Sequence, residues 1–475
     1  MDPEEFRRLG KQVVDWIADY LNDASKYPVL SRVKPGDIRA QLPAVPPTQA
    51  EPMQNVLTDF ERVVLPGITH WNHPGFFAYF AITGSAPGIL GEMLASALNV
   101  NGMLWRTSPA VTELEEVVLD WLRQMLGLPG SFKGVITDTA SVSSLVALAA
   151  ARESIQRTIR EEGLAGRTDL PRLRMYCSDQ THSSIEKAAI VLGIGQQGVR
   201  KIPSDHAFRM RADLLESAIR EDRKNGWLPF CVTATVGTTS TTSIDPVRAI
   251  AEICRREALW LHVDGAYGGV AGIVPELRSA LDGCELADSF VVNPHKWLFT
   301  PIDCSCLYTR HVDVLTQAFS LVPEYLRTAE QGVTNYMDWG VQLGRRFRSL
   351  KLWFVIRSFG VEGLAERIRN HCRLAADLAA RVDREPGFER LAPVPFSVVC
   401  FRCHPAGIDD EAALETLNTR ILNAVNESGD VFLSHTKLNG RYAIRIAIGN
   451  LRSRQEHIDR AWDLIRHHAR ALEPH

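Results

Sequence analysis

From about residue 86 to about residue 350 the chain alternates short β-rich runs with helical patterns, and this alternation restricts the available folds more than any other feature. The runs are Gly134–Thr137, Leu173–Cys177, Phe230–Val236, Leu259–Val263, Phe290–Val292 and Ser305–Thr309. Strands that return to one another through helices become neighbours in a mostly parallel sheet covered on both faces, so an α/β fold is expected. Downstream the pattern changes to a strand at Phe396–Cys403, a helix at Glu411–Glu427, and two strands, Val431–Lys437 and Arg441–Ile448, flanking Asn439-Gly440, a strong hairpin signal. A smaller α+β domain therefore follows the large one.

Upstream, Phe6, Leu9, Val13, Trp16, Ile17, Tyr20 and Leu21 recur at three- and four-residue steps, the period of an amphipathic helix. Pro35, Pro43, Pro46, Pro47 and Pro52 then make an extended connector that does not fold back tightly. The helix has no local partner in sequence, so the arm is expected to pack on another subunit, with packing on its own large domain as the alternative. The resulting division is an arm over 1–85, a large domain over 86–353 and a small domain over 354–475.

A chain of 475 residues, 45% apolar and with a formal net charge of −3, buries a sizeable core and carries no broad basic field for nucleic acid or anionic lipid. A small-molecule partner is the default. Met1-Asp2-Pro3-Glu4-Glu5 lacks the basic flank and apolar core of a secretory signal, and no apolar run is long enough to span a bilayer, so the expected compartment is the cytoplasm. Nine cysteines without a short framework spacing fit reduced thiols.

The chemistry concentrates at two strand ends. Asn293-Pro294-His295-Lys296-Trp297 sets a lysine just after an apolar strand, and Leu259-Trp260-Leu261-His262-Val263-Asp264 ends the preceding strand in an aspartate. A lone lysine is usually a solvated charge and a lone aspartate a cap or turn former. Together, at the carboxyl ends where α/β sheets bind ligands, they point to pyridoxal phosphate, with Lys296 bonding the aldehyde and Asp264 pairing with the pyridinium nitrogen. The phosphate needs converging backbone N–H groups, and Thr139-Ala140-Ser141, between a strand and a helix, supplies them or is an ordinary helix cap. Asp138 is awkward there, since a carboxylate repels phosphate unless it turns away. His182 stacks on a planar ring or moves a proton, or else caps a helix. Trp71, Phe76, Phe77, Tyr79 and Phe80 are either core or a wall for an aromatic substrate.

Two motif matches fail on context. Gly193-Ile194-Gly195-Gln196-Gln197-Gly198 fits the dinucleotide pattern, but a helix precedes it and a strand follows, the reverse of the required order. Cys400-Phe401-Arg402-Cys403-His404 has the spacing for covalent haem but lies in an apolar strand of a chain without an export signal.

Over nearly its whole length the chain resembles the pyridoxal-phosphate-dependent aromatic L-amino-acid decarboxylases, the group that includes dopa, tyrosine and tryptophan decarboxylases. The resemblance rests on Thr69-His70-Trp71, Phe76-Phe77-Ala78-Tyr79-Phe80, Ser108-Pro109-Ala110-Val111-Thr112-Glu113-Leu114-Glu115, Val236-Gly237-Thr238-Thr239-Ser240, His262-Val263-Asp264, Asn293-Pro294-His295-Lys296-Trp297 and Leu343-Gly344-Arg345-Arg346-Phe347-Arg348-Ser349-Leu350-Lys351. It implies the aspartate-aminotransferase-like fold type I, a carbon–carbon carboxy-lyase activity forming amines, and an obligate homodimer with its site at the subunit interface and the N-terminal segment wrapped round the partner. It also implies that Lys296 is the Schiff-base lysine, that Asp264 pairs with the ring nitrogen, and that the ring lies between His182 and Ala266. Ala140, Ser141, Thr239, Asn293 and His295 match positions holding the cofactor, mainly its phosphate, while Trp71, Tyr79 and Phe80 match the substrate wall.

Tyr325, in Val322-Pro323-Glu324-Tyr325-Leu326, matches the mobile-loop tyrosine of the decarboxylases, where related aldehyde synthases carry phenylalanine. A phenol protonates the substrate carbon after carbon dioxide leaves; without it the carbanionic species survives to meet oxygen. An aldehyde synthase is thus the alternative on the same site. An aminotransferase or desulfurase, marked by keto-acid formation, and a non-enzymatic scaffold, marked by a missing cofactor band, are the readings from other classes. Asp138 stands where animal members have glycine, Ile82 where they have threonine, and Met103-Leu104 where they have Phe-Ser before Trp105. Gly344 matches the glycine of indole-accepting plant members, so the expected substrates lean towards tryptophan, with breadth.

Overall fold

The computed structural model describes residues 1–321, 326 and 330–472. Contacts divide the chain into two compact units: Ile82–Ala379 with Ala392–Cys400, and Met1–Ala81 with Ala380–Leu391 and Phe401–His475.

The first unit holds a seven-stranded sheet of β1 (Lys133–Thr137), β2 (Leu173–Ser178), β3 (Val199–Ile202), β4 (Leu228–Thr235), β5 (Trp260–Asp264), β6 (Ser289–Val292) and β7 (Ser305–Thr309), in the order β1-β7-β6-β5-β4-β2-β3. The pairs β2–β3, β2–β4, β4–β5 and β5–β6 are parallel, and β7 is antiparallel to both β1 and β6. By that count β1 points the same way as the parallel set, and the expected mostly parallel α/β sheet is observed. Every residue of β5, β6 and β7 is buried, the mark of strands covered on both faces rather than half-solvated. Helix Ala140–Glu153 packs its alanine-rich side on the sheet, with Ala147, Ala150 and Ala151 in one core cluster with Val135, Met175 and Cys231. Small side chains there let helix and sheet approach closely.

The second unit contains β8 (Phe388–Arg390), β10 (Ser434–Leu438) and β11 (Arg441–Ala447), in a four-stranded sheet of order β10-β11-β9-β8 whose β9 (Val398–Cys403) enters from the first unit's Ala392–Cys400 segment. Asn439 and Gly440 both have positive φ, 50° and 82°, as the tight hairpin turn demands. The strand expected from Val431 begins only at Ser434. Phe432 instead donates its N–H to Gly75 C=O and accepts from Phe77 N–H, so residues 431–433 serve the 75–77 segment.

The amphipathic N-terminal helix runs Pro3–Asn22, capped by Asp2, whose side chain accepts from Glu5 N–H. The segment after it docks on the C-terminal part of its own unit: Leu21 C=O accepts from Arg452 Nε at 3.0 Å, and Val29 N–H donates to Gly429 C=O. All nine cysteines are free thiols. Among the described residues no helix is long and apolar enough to cross a membrane.

Candidate active site

The candidate cofactor residues follow the carboxyl ends of strands that point the same way: Ala140 and Ser141 after β1, His182 after β2, Thr239 after β4, Asp264 and Ala266 at the end of β5, and Asn293, His295 and Lys296 after β6. Backbone bonds tie these ends together. Val236 N–H donates to Asp264 C=O at 2.9 Å, Gly265 N–H to Val291 C=O at 3.0 Å, and Asn293 N–H to Ala266 C=O at 3.1 Å. Ala140, Ala266 and Val291 form one packed cluster, which sets the start of helix Ala140–Glu153 against the ends of β5 and β6. Gly237, at φ +88°, lies so close to Gly268 that a Cβ would stand 2.9 Å from Gly268 N; glycine there lets the turn after β4 close on the segment after β5.

Asp264 is buried, and its Oδ1 accepts from Ala266 N–H at 3.0 Å, which fixes the carboxylate plane. His182 is the N-cap of helix Ser183–Val191: its Nδ1 accepts from Ser184 N–H at 3.2 Å, which leaves the ring proton on Nε2. Burial and the charge of Lys296 lower its pKa from the ordinary 6.5, with Asp264 opposing, so His182 stands within electrostatic range of both residues and is neutral at pH 7.

A donor conflict beside Lys296 tests whether these residues fit the cofactor phosphate. His295 Nδ1 accepts from Cys304 N–H at 2.9 Å, and burial together with Lys296 pushes the ring down to about 3, so it is neutral with its proton on Nε2. That Nε2 stands 3.3 Å from Asn293 Nδ2, a second donor, while the buried Asn293 Oδ1 has no partner among the described residues. Turning the amide over lets Oδ1 accept from Nε2–H but leaves Nδ2 as the buried unpaired atom. In either orientation a donor is left over, and an anionic oxygen is what completes the set. Helix Ala140–Glu153 adds to it: its own bonds begin with Val142 and Ser143, which both donate to Thr139 C=O, leaving the Ala140 and Ser141 amides outside the helix ladder. Both oxygens of Asp138 are engaged, Oδ1 accepting from Thr139 N–H at 2.6 Å and Oδ2 from Gln342 Nε2 at 3.4 Å. The chemistry of these donors fits a phosphate.

Residues 35–404 match the pyridoxal-dependent decarboxylase conserved domain. The chain belongs to the pyridoxal-dependent decarboxylase family. It is a carboxy-lyase whose cofactor is pyridoxal 5′-phosphate. Similar proteins include tyrosine decarboxylase 4 of Petroselinum crispum, 44% identical over 99% of this chain and 94% of that one, and phenylacetaldehyde synthase of Arabidopsis thaliana, 43% identical over 99% and 97%. The structure of Oryza sativa TDC with PLP and tryptamine superposes with a TM-score of 0.95 at 39% identity, covering 100% of this chain and 99% of that one.

The candidate wall of this decarboxylase lies in the other unit. Trp71 stacks on Phe76 at 4.3 Å and on Tyr79 at 5.8 Å, and Phe432 meets Tyr79 edge-on at 6.0 Å. Tyr325 lies outside the described residues. Two sizeable clefts, about 550 and 770 Å³, are lined by other residues, including Trp121 and Tyr336 in one and Arg209 and Asp245 in the other. Sequence reasoning missed Cys304, which fixes the His295 tautomer through its backbone; an amide across a turn leaves no side-chain signal. It also missed Ser144 and Ser289, whose hydroxyls hold both nitrogens of the buried His262 at 3.3 and 2.9 Å.

Proposed function

We propose that this enzyme removes carbon dioxide from aromatic L-amino acids of the tryptophan, 5-hydroxytryptophan, dopa, tyrosine or phenylalanine class and releases the arylalkylamine. The observation that carries the reading is the likeness over 99% of the chain to a tyrosine decarboxylase, and over all of it to a structure holding tryptamine, in a chain that keeps Lys296 and Asp264 at adjacent strand ends.

When bound, pyridoxal phosphate supplies an electron sink for the bond that breaks. In the proposed scheme Lys296 would be the residue that anchors the cofactor through its aldehyde. Asp264, its carboxylate fixed by Ala266 N–H, holds the proton on the ring nitrogen. Ala140, Ser141, Thr239, Asn293 and His295 would hold the phosphate, and His182 and Ala266 would hold the ring. Trp71, Tyr79 and Phe80 take the aromatic side chain. Tyr325, assisted by neutral His182, would be the proton donor to the substrate carbon, and the Lys296 amine would be the group that frees the product. The proposed setting is the cytoplasm, as an obligate homodimer whose arm, residues 1–85, wraps the partner, with no nucleic-acid or membrane partner.

The likeness to phenylacetaldehyde synthase favours one second reading, decarboxylation coupled to oxidative deamination. Incubating the pyridoxal-phosphate-loaded protein separately with tryptophan, tyrosine, dopa and phenylalanine, while following amine, aldehyde and peroxide, separates the two. Amine without peroxide is expected; aldehyde with stoichiometric peroxide means the second reading, and silence on all four refutes both. Tyr325→Phe should cut the amine-forming rate by about 10²-fold and divert product to aldehyde, the scale of a lost general acid. Unchanged amine output from that variant would remove Tyr325 as proton donor.

A further inference from the structure

Tyr79 is a tyrosine in a backbone conformation that tyrosine avoids. Its φ is +54°, in the left-handed region where a side chain crowds its own backbone. Burial does not hold it there, since its side chain is 56% exposed. Such a conformation persists only where the surroundings over-determine it.

The surroundings here are one cross-strand pair. Ser434 on β10 and Arg445 on β11 are directly opposed in the hairpin register. Tyr79 N–H donates to Ser434 Oγ at 3.3 Å, and Tyr79 C=O accepts from Arg445 Nη1, so the two members of that pair grip the two backbone groups of the one strained residue. Arg445 is itself only 4% exposed, and its guanidinium carbon lies 4.8 Å from the centroid of the Phe80 ring. Stacking on Phe80 orients the planar fork that reaches the carbonyl, a combination that lysine does not reproduce.

Attachment of this segment to the sheet does not need that pair. Phe77 N–H to Phe432 C=O, Phe432 N–H to Gly75 C=O and Ala447 N–H to Phe77 C=O already fasten residues 75–77. What Arg445 and Ser434 add is the direction of Tyr79, whose ring continues the stack begun by Phe76 and Trp71.

We propose that Arg445 and Ser434 are positioning residues that hold Tyr79 in its left-handed conformation so that its ring is set in advance for the aromatic side chain of the substrate. This rests on the aromatic-amino-acid reading above and assigns a second tier of residues to it. Ring recognition that is built beforehand lowers KM without touching the bond-breaking step, because the ordering of Tyr79 is already complete before substrate arrives.

The test uses the cofactor-loaded full chain with Arg445→Met, Arg445→Lys, Ser434→Ala and Tyr79→Ala, and the Arg445→Met/Tyr79→Ala double variant, measuring kcat and KM for tryptophan and tyrosine alongside the cofactor absorbance band and the melting temperature. Arg445→Met should raise KM about tenfold with kcat within about threefold, and Ser434→Ala should raise KM about threefold, both within the range that losing one hydrogen bond produces. In the Tyr79→Ala background Arg445→Met should have no further effect, the signature of action through Tyr79. Should Arg445→Met not fold, Ser434→Ala and Arg445→Lys carry the same KM comparison. Unchanged KM in the folded variants, or a full tenfold effect of Arg445→Met in the Tyr79→Ala background, overturns the proposal. If the wild-type chain turns over none of the aromatic acids, the substrate reading fails, and the positioning role falls with it.

Discussion

At the scale of single residues, protonation of His182 offers the sharpest handle. Its Nδ1 is committed to Ser184 N–H, and burial with the neighbouring Lys296 charge moves its pKa below 6.5. A second positive charge beside Lys296 is therefore resisted, and the ring stays neutral until the solution is more acidic than a free histidine would need. The acid limb of kcat/KM belonging to His182 is expected below pH 6.5, and His182→Gln should remove it while lowering kcat by about tenfold or more. An identical acid limb in that variant would mean another group titrates. The placing of Asp264 at the end of one strand and of Lys296 just after the next was legible, because apolar runs mark both strands and strand ends are where side chains reach ligands. The His295 tautomer was not legible, because it is set by the N–H of Cys304, nine positions on and brought round by a turn. Asp138 was legible only as a problem; that its carboxylate folds back onto Thr139 N–H is a rotamer choice that composition does not encode.

At the scale of elements, β5 shows how the fold ties stability to pH. His262 is fully buried within the strand, its nitrogens paired with Ser289 Oγ and Ser144 Oγ, and burial pushes it down to about 4. Its unfolded value is about 6.5, so between those limits the unfolded chain holds a proton that the folded chain refuses. Stability is complete above about pH 6.5 and is lost as pH falls towards 4, by on the order of 3 kcal/mol from this group. His262→Gln keeps two polar ends without the titration, and its urea midpoint should drop less between about pH 7 and pH 5 than that of the wild type. Parallel curves would show that His262 does not set the acid slope. The strand itself was plain from Leu259–Val263, because apolar β-branched and aromatic runs suit a doubly covered sheet. The three-residue β8 was not, since Phe388-Glu389-Arg390 has no alternation to read, and it forms because β9 offers a free edge. The hairpin was read correctly from two residues whose positive φ the turn requires, whereas Val431–Leu433 were read as part of β10 although they precede it, because the 75–77 segment, more than three hundred positions away in sequence, takes the backbone groups of Phe432.

At the scale of the whole molecule, the proposed homodimer would cover apolar surface that a single subunit leaves exposed. Helix Ala86–Leu98 exposes Leu90 at 53% and Leu94 at 49%, together with Met93 and Leu98, on a helix whose mean composition is apolar. The N-terminal helix separately exposes Phe6, Val13 and Val14. Scattered surface leucines are ordinary, but four large apolar side chains at helical spacing on one element form the contiguous patch that monomers rarely leave to water. A second copy of the chain is the occupant that the family reading supplies, and a stable pair buries on the order of 1,600 Å² or more, to which such a helix contributes a central strip. Leu90→Lys with Leu94→Lys places two charges in that strip, and each desolvated charge costs more than the apolar contact it replaces contributes. The expected outcome is a monomer by sedimentation velocity at micromolar concentration, folded by circular dichroism, with decarboxylation reduced at least a hundredfold if the site is shared between subunits as proposed. A variant that still sediments as a dimer would move the interface off this helix. A fully active monomer would refute the shared site while leaving the chemistry of Lys296 and Asp264 intact.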